Sequence, residues 1–121
     1  MRLLAVTLAL AAVLIVPAAY AATTRPPSRV QVTSSEFEFV LSRAKVRQGR
    51  AIVQLVNLGD DVHDLALRRV APGARTYVIR RLLPEQDASI SLRLYPGRYR
   101  LWCTVGDHRV RGMRTVLTVT K

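Results

Sequence analysis

Apolar and polar residues alternate along most of this chain, and that alternation is the first guide to its structure. From Val30 onward no segment keeps the spacing of an amphipathic helix. Short runs of period two follow one another, separated by turn residues, which predicts an all-β sandwich. The first run is Val30 to Val32. In the second, Phe37, Phe39 and Leu41 face inward and Glu36 and Glu38 outward. Arg47-Gln48-Gly49-Arg50 reads as a turn. Ala51, Val53 and Leu55 then share one face while Ile52 and Val56 take the other, so this strand is expected to be covered on both sides. Gly59-Asp60-Asp61 reads as a turn with solvated carboxylates.

The later runs place three residues of chemical interest. His63, Leu65 and Leu67 share a face opposite Asp64, Ala66 and Arg68. Thr76 to Leu83 reads as extended or irregular. Ser89, Ser91 and Arg93 alternate with Ile90, Leu92 and Leu94, and Pro96-Gly97 marks a turn. Tyr99, Leu101 and Cys103 lie opposite Arg98, Arg100 and Trp102, and the arginine face must be the wet one. Met113, Thr115, Leu117 and Val119 share the last inward row. Parity alone thus puts His63, Cys103 and Met113 at strand ends, on the apolar side.

The N-terminus adds an address. Met-Arg precedes an apolar run from Leu3 to Val16, broken by Pro17 and followed by the small-residue site Ala19-Tyr20-Ala21. Residues 1–21 therefore read as a secretory signal peptide, with an uncleaved membrane anchor as the alternative. The protein is expected to be extracytoplasmic, periplasmic or secreted. Residues 22–28 read as a flexible leader, and residues 29–121 as one monomeric domain. With one cysteine, the chain cannot form an internal disulfide. The formal net charge of +11 implies a cationic surface, either simply solvated or drawn to acidic proteins, anionic membrane headgroups or cell-wall polymers. Nucleic acid does not fit, because the arginines are dispersed and few aromatics accompany them.

Cys103 to Met113 concentrates the chemistry. This stretch holds the only cysteine, one of two histidines and one of two methionines. Taken singly, each is an ordinary core residue. Taken with His63, they form a His2Cys set with a weak thioether, which suits copper. Zinc is the competing metal, but its structural sites use four strong ligands.

In Tyr99-Arg100-Leu101-Trp102-Cys103-Thr104-Val105-Gly106-Asp107-His108, on to Gly112-Met113, and in Val53-Gln54-Leu55-Val56-Asn57 leading to His63, the chain resembles the mononuclear blue-copper cupredoxins. The resemblance implies a Greek-key β-sandwich of about eight strands. It also implies one copper ion, with His63, Cys103 and His108 as equatorial ligands and Met113 as the axial one. Three departures stand out: Asp64 in place of a frequent asparagine, Gly106-Asp107 in place of Pro-Gly, and Arg109, Arg111 and Arg114 within a usually apolar patch.

The function this implies is single-electron transfer by Cu(II)/Cu(I) cycling, without enzymatic chemistry. His108 would be the electron's exit, and the partner a redox protein with an acidic surface, such as a cytochrome or an oxidase domain. Extracytoplasmic copper delivery or buffering is the alternative use of the same ligands. A metal-free sandwich serving adhesion is a third.

Overall fold

The computed structural model describes residues 24–121. The expected signal segment and the first two leader residues lie outside the described residues. Residues 24–27 carry no regular structure, and a strand already begins at Ser28, so the leader gives way to the sandwich one residue earlier than the sequence suggests.

Among the described residues there is no helix, and nine strands form two sheets. They are β1 (Ser28–Ser35), β2 (Glu38–Leu41), β3 (Lys45–Arg47), β4 (Gly49–Asn57), β5 (His63–Arg69), β6 (Thr76–Leu82), β7 (Asp87–Leu94), β8 (Gly97–Trp102) and β9 (Arg114–Thr120). One sheet has the order β2-β1-β4-β7 and the other β3-β9-β8-β5-β6. Pairing is antiparallel except for β1 with β4 and β3 with β9. The expected turn at Arg47–Arg50 is instead the corner where the chain changes sheets. Only Gln48 separates β3 from β4, and Gly49 takes φ +114°, which a side chain would strain.

Period two decides what is buried. Val30, Val32, Ala51, Val53 and Leu55 line the inner face of the first sheet. Leu65, Leu67, Tyr99, Leu101, Leu117 and Val119 line that of the second. Each buried Val or Leu contributes about 1.5–3 kcal/mol of transfer free energy. Buried Tyr99 keeps its hydroxyl satisfied by accepting from the Tyr95 N–H at 3.0 Å, closing the turn before β8. The expectation that β4 is covered on both sides does not hold. Ile52, Gln54 and Val56 are only half-buried, because among the described residues nothing packs as a third layer on that sheet.

The second sheet sets up the site. β5, β8 and β9 are neighbours, in a register that aligns Ala66, Trp102 and Arg114. His63 opens β5, Cys103 follows β8 and Met113 precedes β9, so the three emerge at one end of the sandwich.

Candidate metal centre

The β4–β5 connection is built around Asn57, which is fully buried. Its amide donates to the carbonyls of Asp61 at 2.8 Å and Leu82 at 3.0 Å, and its Oδ1 accepts from the Gly59 N–H at 2.9 Å. The loop is thereby pinned just ahead of His63.

His63 is completely buried. Its Nε2 lies 2.9 Å from Glu36 Oε1. Glu36 reaches over from the β1–β2 turn and also accepts from the backbone N–H groups of Asp61 at 2.9 Å and Asp60 at 3.2 Å. The bond from Asp61, with help from His63 and Asp60, lowers the Glu36 carboxyl to about 2. Gly59 is required under this pair, since a Cβ there would overlap Glu36 Oε1 and lie 2.9 Å from His63 Nε2. With Nε2 committed to a carboxylate, the imidazole offers Nδ1 as its remaining nitrogen. That atom is buried and has no hydrogen-bond partner among the described residues. Burying such an atom unpaired costs about 1–3 kcal/mol, so it needs an explanation.

The explanation lies on the opposite loop. Donor atoms of His63, Cys103 and His108 all lie within 4.8 Å of one another, and all three residues are buried. Cys103 Sγ is 3.7 Å from His108 Nδ1. An imidazole nitrogen at about 2.0 Å and a thiolate at about 2.3 Å from one ion, at trigonal angles, would stand about 3.7 Å apart. The outer nitrogen of His108 faces Asp61 Oδ2 at 3.4 Å, so each ring turns Nε2 to a carboxylate and Nδ1 inward. The two rings meet edge to face at 5.1 Å between centroids. Phe37 packs on His108 in the same way at 4.8 Å, and Arg111 lies over Phe37 at 3.7 Å.

The loop from Cys103 to Met113 is closed by its own backbone. Cys103 N–H donates to the Met113 carbonyl at 3.1 Å, Met113 N–H to that of His108 at 3.0 Å, and His108 N–H to that of Val105 at 3.1 Å. Met113 is fully buried and tied through its main chain to Cys103 and His108. Gly112, at φ +117°, makes the bend that returns the chain to β9. Burial pushes the Cys103 thiol up, while the backbone N–H groups of Asp64 and Val105 act the other way by favouring the thiolate.

Asp64 is 4 % exposed although it alternates with the inward residues His63 and Leu65. The adjacent bulge places its extra residue in β6, between Ile79 and Leu82, so the alternation of β5 is kept. Asp64 accepts from the Thr104 N–H at 2.6 Å and from the Thr104 hydroxyl, joining β5 to the ligand loop. Asp64→Ala is expected to cost about 1–3 kcal/mol by removing the acceptor for these donors. Asp64→Asn keeps an acceptor oxygen and is expected to cost less. Denaturant unfolding of the two variants checks the order.

The structure thus brings His63, Cys103 and His108 together and seats Met113 beside them in the loop. Sequence reasoning missed Glu36, Asp61 and Gly59. Period two sent Glu36 outward, and Gly59-Asp60-Asp61 passed for solvated turn chemistry. The one available signal was composition: three carboxylates on the two turns nearest His63, in a chain with few acidic residues.

A two-sheet β-sandwich holding a buried His2Cys cluster at one end defines a class of metal-site scaffold, and the structural relatives agree. The chain is similar to reduced auracyanin from Roseiflexus castenholzii, at 16 % identity over 80 % of this chain and 100 % of that one, with a TM-score of 0.64. It is similar to auracyanin A, a "blue" copper protein from Chloroflexus aurantiacus, at 13 % identity over 78 % and 100 %, TM-score 0.59. It is also similar to amicyanin from Paracoccus versutus, at 20 % identity over 79 % and 85 %, TM-score 0.55. No family model matches the sequence, and no curated protein does. The chain has the cupredoxin fold.

Proposed function

We propose that this protein is an extracytoplasmic single-electron carrier with a mononuclear type 1 copper site. His63, Cys103 and His108 would hold the ion, and Met113 would offer a weak fourth donor. One observation carries the reading: a buried, unpartnered imidazole nitrogen, a buried thiol and a second imidazole share one small volume. Two nitrogens, a thiolate and a thioether are the donor set that favours copper over zinc. One of the structural neighbours is itself described as a blue copper protein.

A bound copper ion supplies a one-electron couple between Cu(II) and Cu(I). The chain's own task is to hold its donors in a single geometry for both states, so that little has to rearrange. Glu36 and Asp61 orient the two rings, Asp64 clamps the ligand loop to β5, and the backbone bonds from Cys103 to Met113 fix that loop's ends. Burial excludes water and favours the less charged reduced site. Its partner is a redox protein, and the signal-like N-terminus supports encounter outside the cytoplasm.

The test is a visible and electron-spin spectrum after Cu(II) is added, repeated on Cys103→Ser. Expected is an intense thiolate-to-copper band in the parent protein and its loss in the variant. Protein that stays colourless, or a band that survives the substitution, would overturn the reading.

A further inference from the structure

The second sheet turns a basic face to solvent, with an aromatic residue at its centre. Arg68 on β5 and Arg100 on β8 are direct cross-strand partners, and both are exposed. Like charges placed opposite one another repel. Among the described residues no carboxylate forms an ion pair with Arg68, Arg100, Arg109 or Arg114. Residues 1–23 contain no Asp or Glu to supply one. Two residues along the register, half-buried Trp102 lies between Ala66 and Arg114. Arg109, from the ligand loop, lies over its indole at 4.8 Å. Arg68, Arg69, Arg100, Trp102 and Arg109 line a groove of about 550 Å³, which runs along the rim formed by Val70 to Pro72. A second hollow of about 260 Å³ lies on the other flank of Trp102, toward Arg114.

We infer that this groove docks the acidic surface of a protein partner, with side-chain carboxylates between Arg68 and Arg100 and beside Arg109. The inference deepens the carrier reading and rests on it. Guanidinium forks match carboxylates in pairs. A cross-strand spacing of about 5 Å suits neighbouring acidic side chains. Bound carboxylates relieve a repulsion that the free fold carries. A membrane fits less well, because the face is concave and Arg109 roofs its one aromatic side chain. Trp102 directly precedes Cys103, so a partner seated there lies one residue from the thiolate.

Trp102 is the only tryptophan, so its fluorescence reports on this face of the second sheet. The experiment titrates the copper-loaded and copper-free chain with poly-L-glutamate and, separately, with phosphatidylglycerol vesicles. The variants are Arg68→Glu/Arg100→Glu and, as a control with the same change in net charge, Arg29→Glu/Arg43→Glu near the hollow on the other sheet. Expected is a saturable, salt-reversible change in Trp102 emission with poly-L-glutamate. Binding should weaken at least about tenfold in the groove variant and less than about threefold in the control. Equal weakening in both variants, or binding that leaves Trp102 emission unchanged, would overturn the proposal, and so would a groove effect seen with vesicles alone. Arg68→Gln/Arg100→Gln guards against misfolding. It should bind more weakly while the free chain melts about 1–5 °C higher, since the repulsion is gone. An unchanged copper spectrum in these variants separates a failed docking face from a failed metal site.

Discussion

Saturating the protein with copper is expected to raise its thermal midpoint by on the order of 15–30 °C. A ligand at a thousand times its dissociation constant that binds only the folded state adds about 4.1 kcal/mol. In a domain this small, each kcal/mol moves the midpoint about 4–8 °C. The structure supplies the reason for folded-state binding. His63 and Cys103 come from strands far apart in sequence, and only the sandwich brings their donor atoms together. Without metal, the fold carries the cost of the unpartnered His63 Nδ1. Burial also keeps Cys103 protonated to higher pH than an exposed thiol, and the ligand is the thiolate, so binding releases a proton. The copper-induced rise should therefore grow as pH rises toward the thiol's range and shrink as pH falls. Melting curves with copper and with a chelator, at two pH values, read both effects. Cys103→Ser should lose most of the rise. A parent midpoint indifferent to copper would count against any buried metal site here.

The strands and the clustering of the candidate site were legible in the sequence for the same reason. Val53, Leu65, Leu101 and Leu117 obey period two because one face of each sheet is buried, and His63, Cys103 and Met113 occupy that parity. What was illegible follows its own physics. Lys45–Arg47 is too short to show a period and pairs with β9, its partner in the remote C-terminal segment. Asp64 is buried by its contact with Thr104 on the facing loop, which alternation cannot anticipate. Glu36 looks like any outward carboxylate until the fold brings its turn against the β4–β5 loop, where two backbone N–H groups and an imidazole await an acceptor. Contacts between turns depend on tertiary placement, and local pattern carries no record of them. The surroundings of His108 were equally hidden: the residue is 6 % exposed, with Phe37 packed on its ring and Asp61 facing its outer nitrogen.

Glu36→Gln is expected to weaken copper binding about 10–100-fold and to raise the site's reduction potential. Among the described residues the carboxylate is the only acceptor for His63 Nε2, so it fixes which ring nitrogen carries the proton and leaves Nδ1 free for the metal. Its negative charge also stabilises Cu(II) more than Cu(I). An amide in its place accepts more weakly and brings no charge, so both affinity and preference for the oxidised state should fall. Glu36→Ala removes the acceptor for Asp60 and Asp61 as well, loosening the loop that carries Gly59, and should lower the metal-free midpoint further than glutamine does. Acid should imitate part of this in the metal-free parent. Because the folded carboxyl is depressed to about 2 from an ordinary 4.5, its contribution to stability is complete above about pH 4.5 and fades as pH falls toward 2. Glu36→Gln should remove that portion of the acid sensitivity. Competition titration against a chelator gives the affinity, a redox titration gives the potential, and acid melts of the metal-free proteins give the third comparison. If the variant keeps parental affinity and potential, the Glu36 contact is a loop fastening with no hold on the metal, and the tautomer of His63 is set elsewhere.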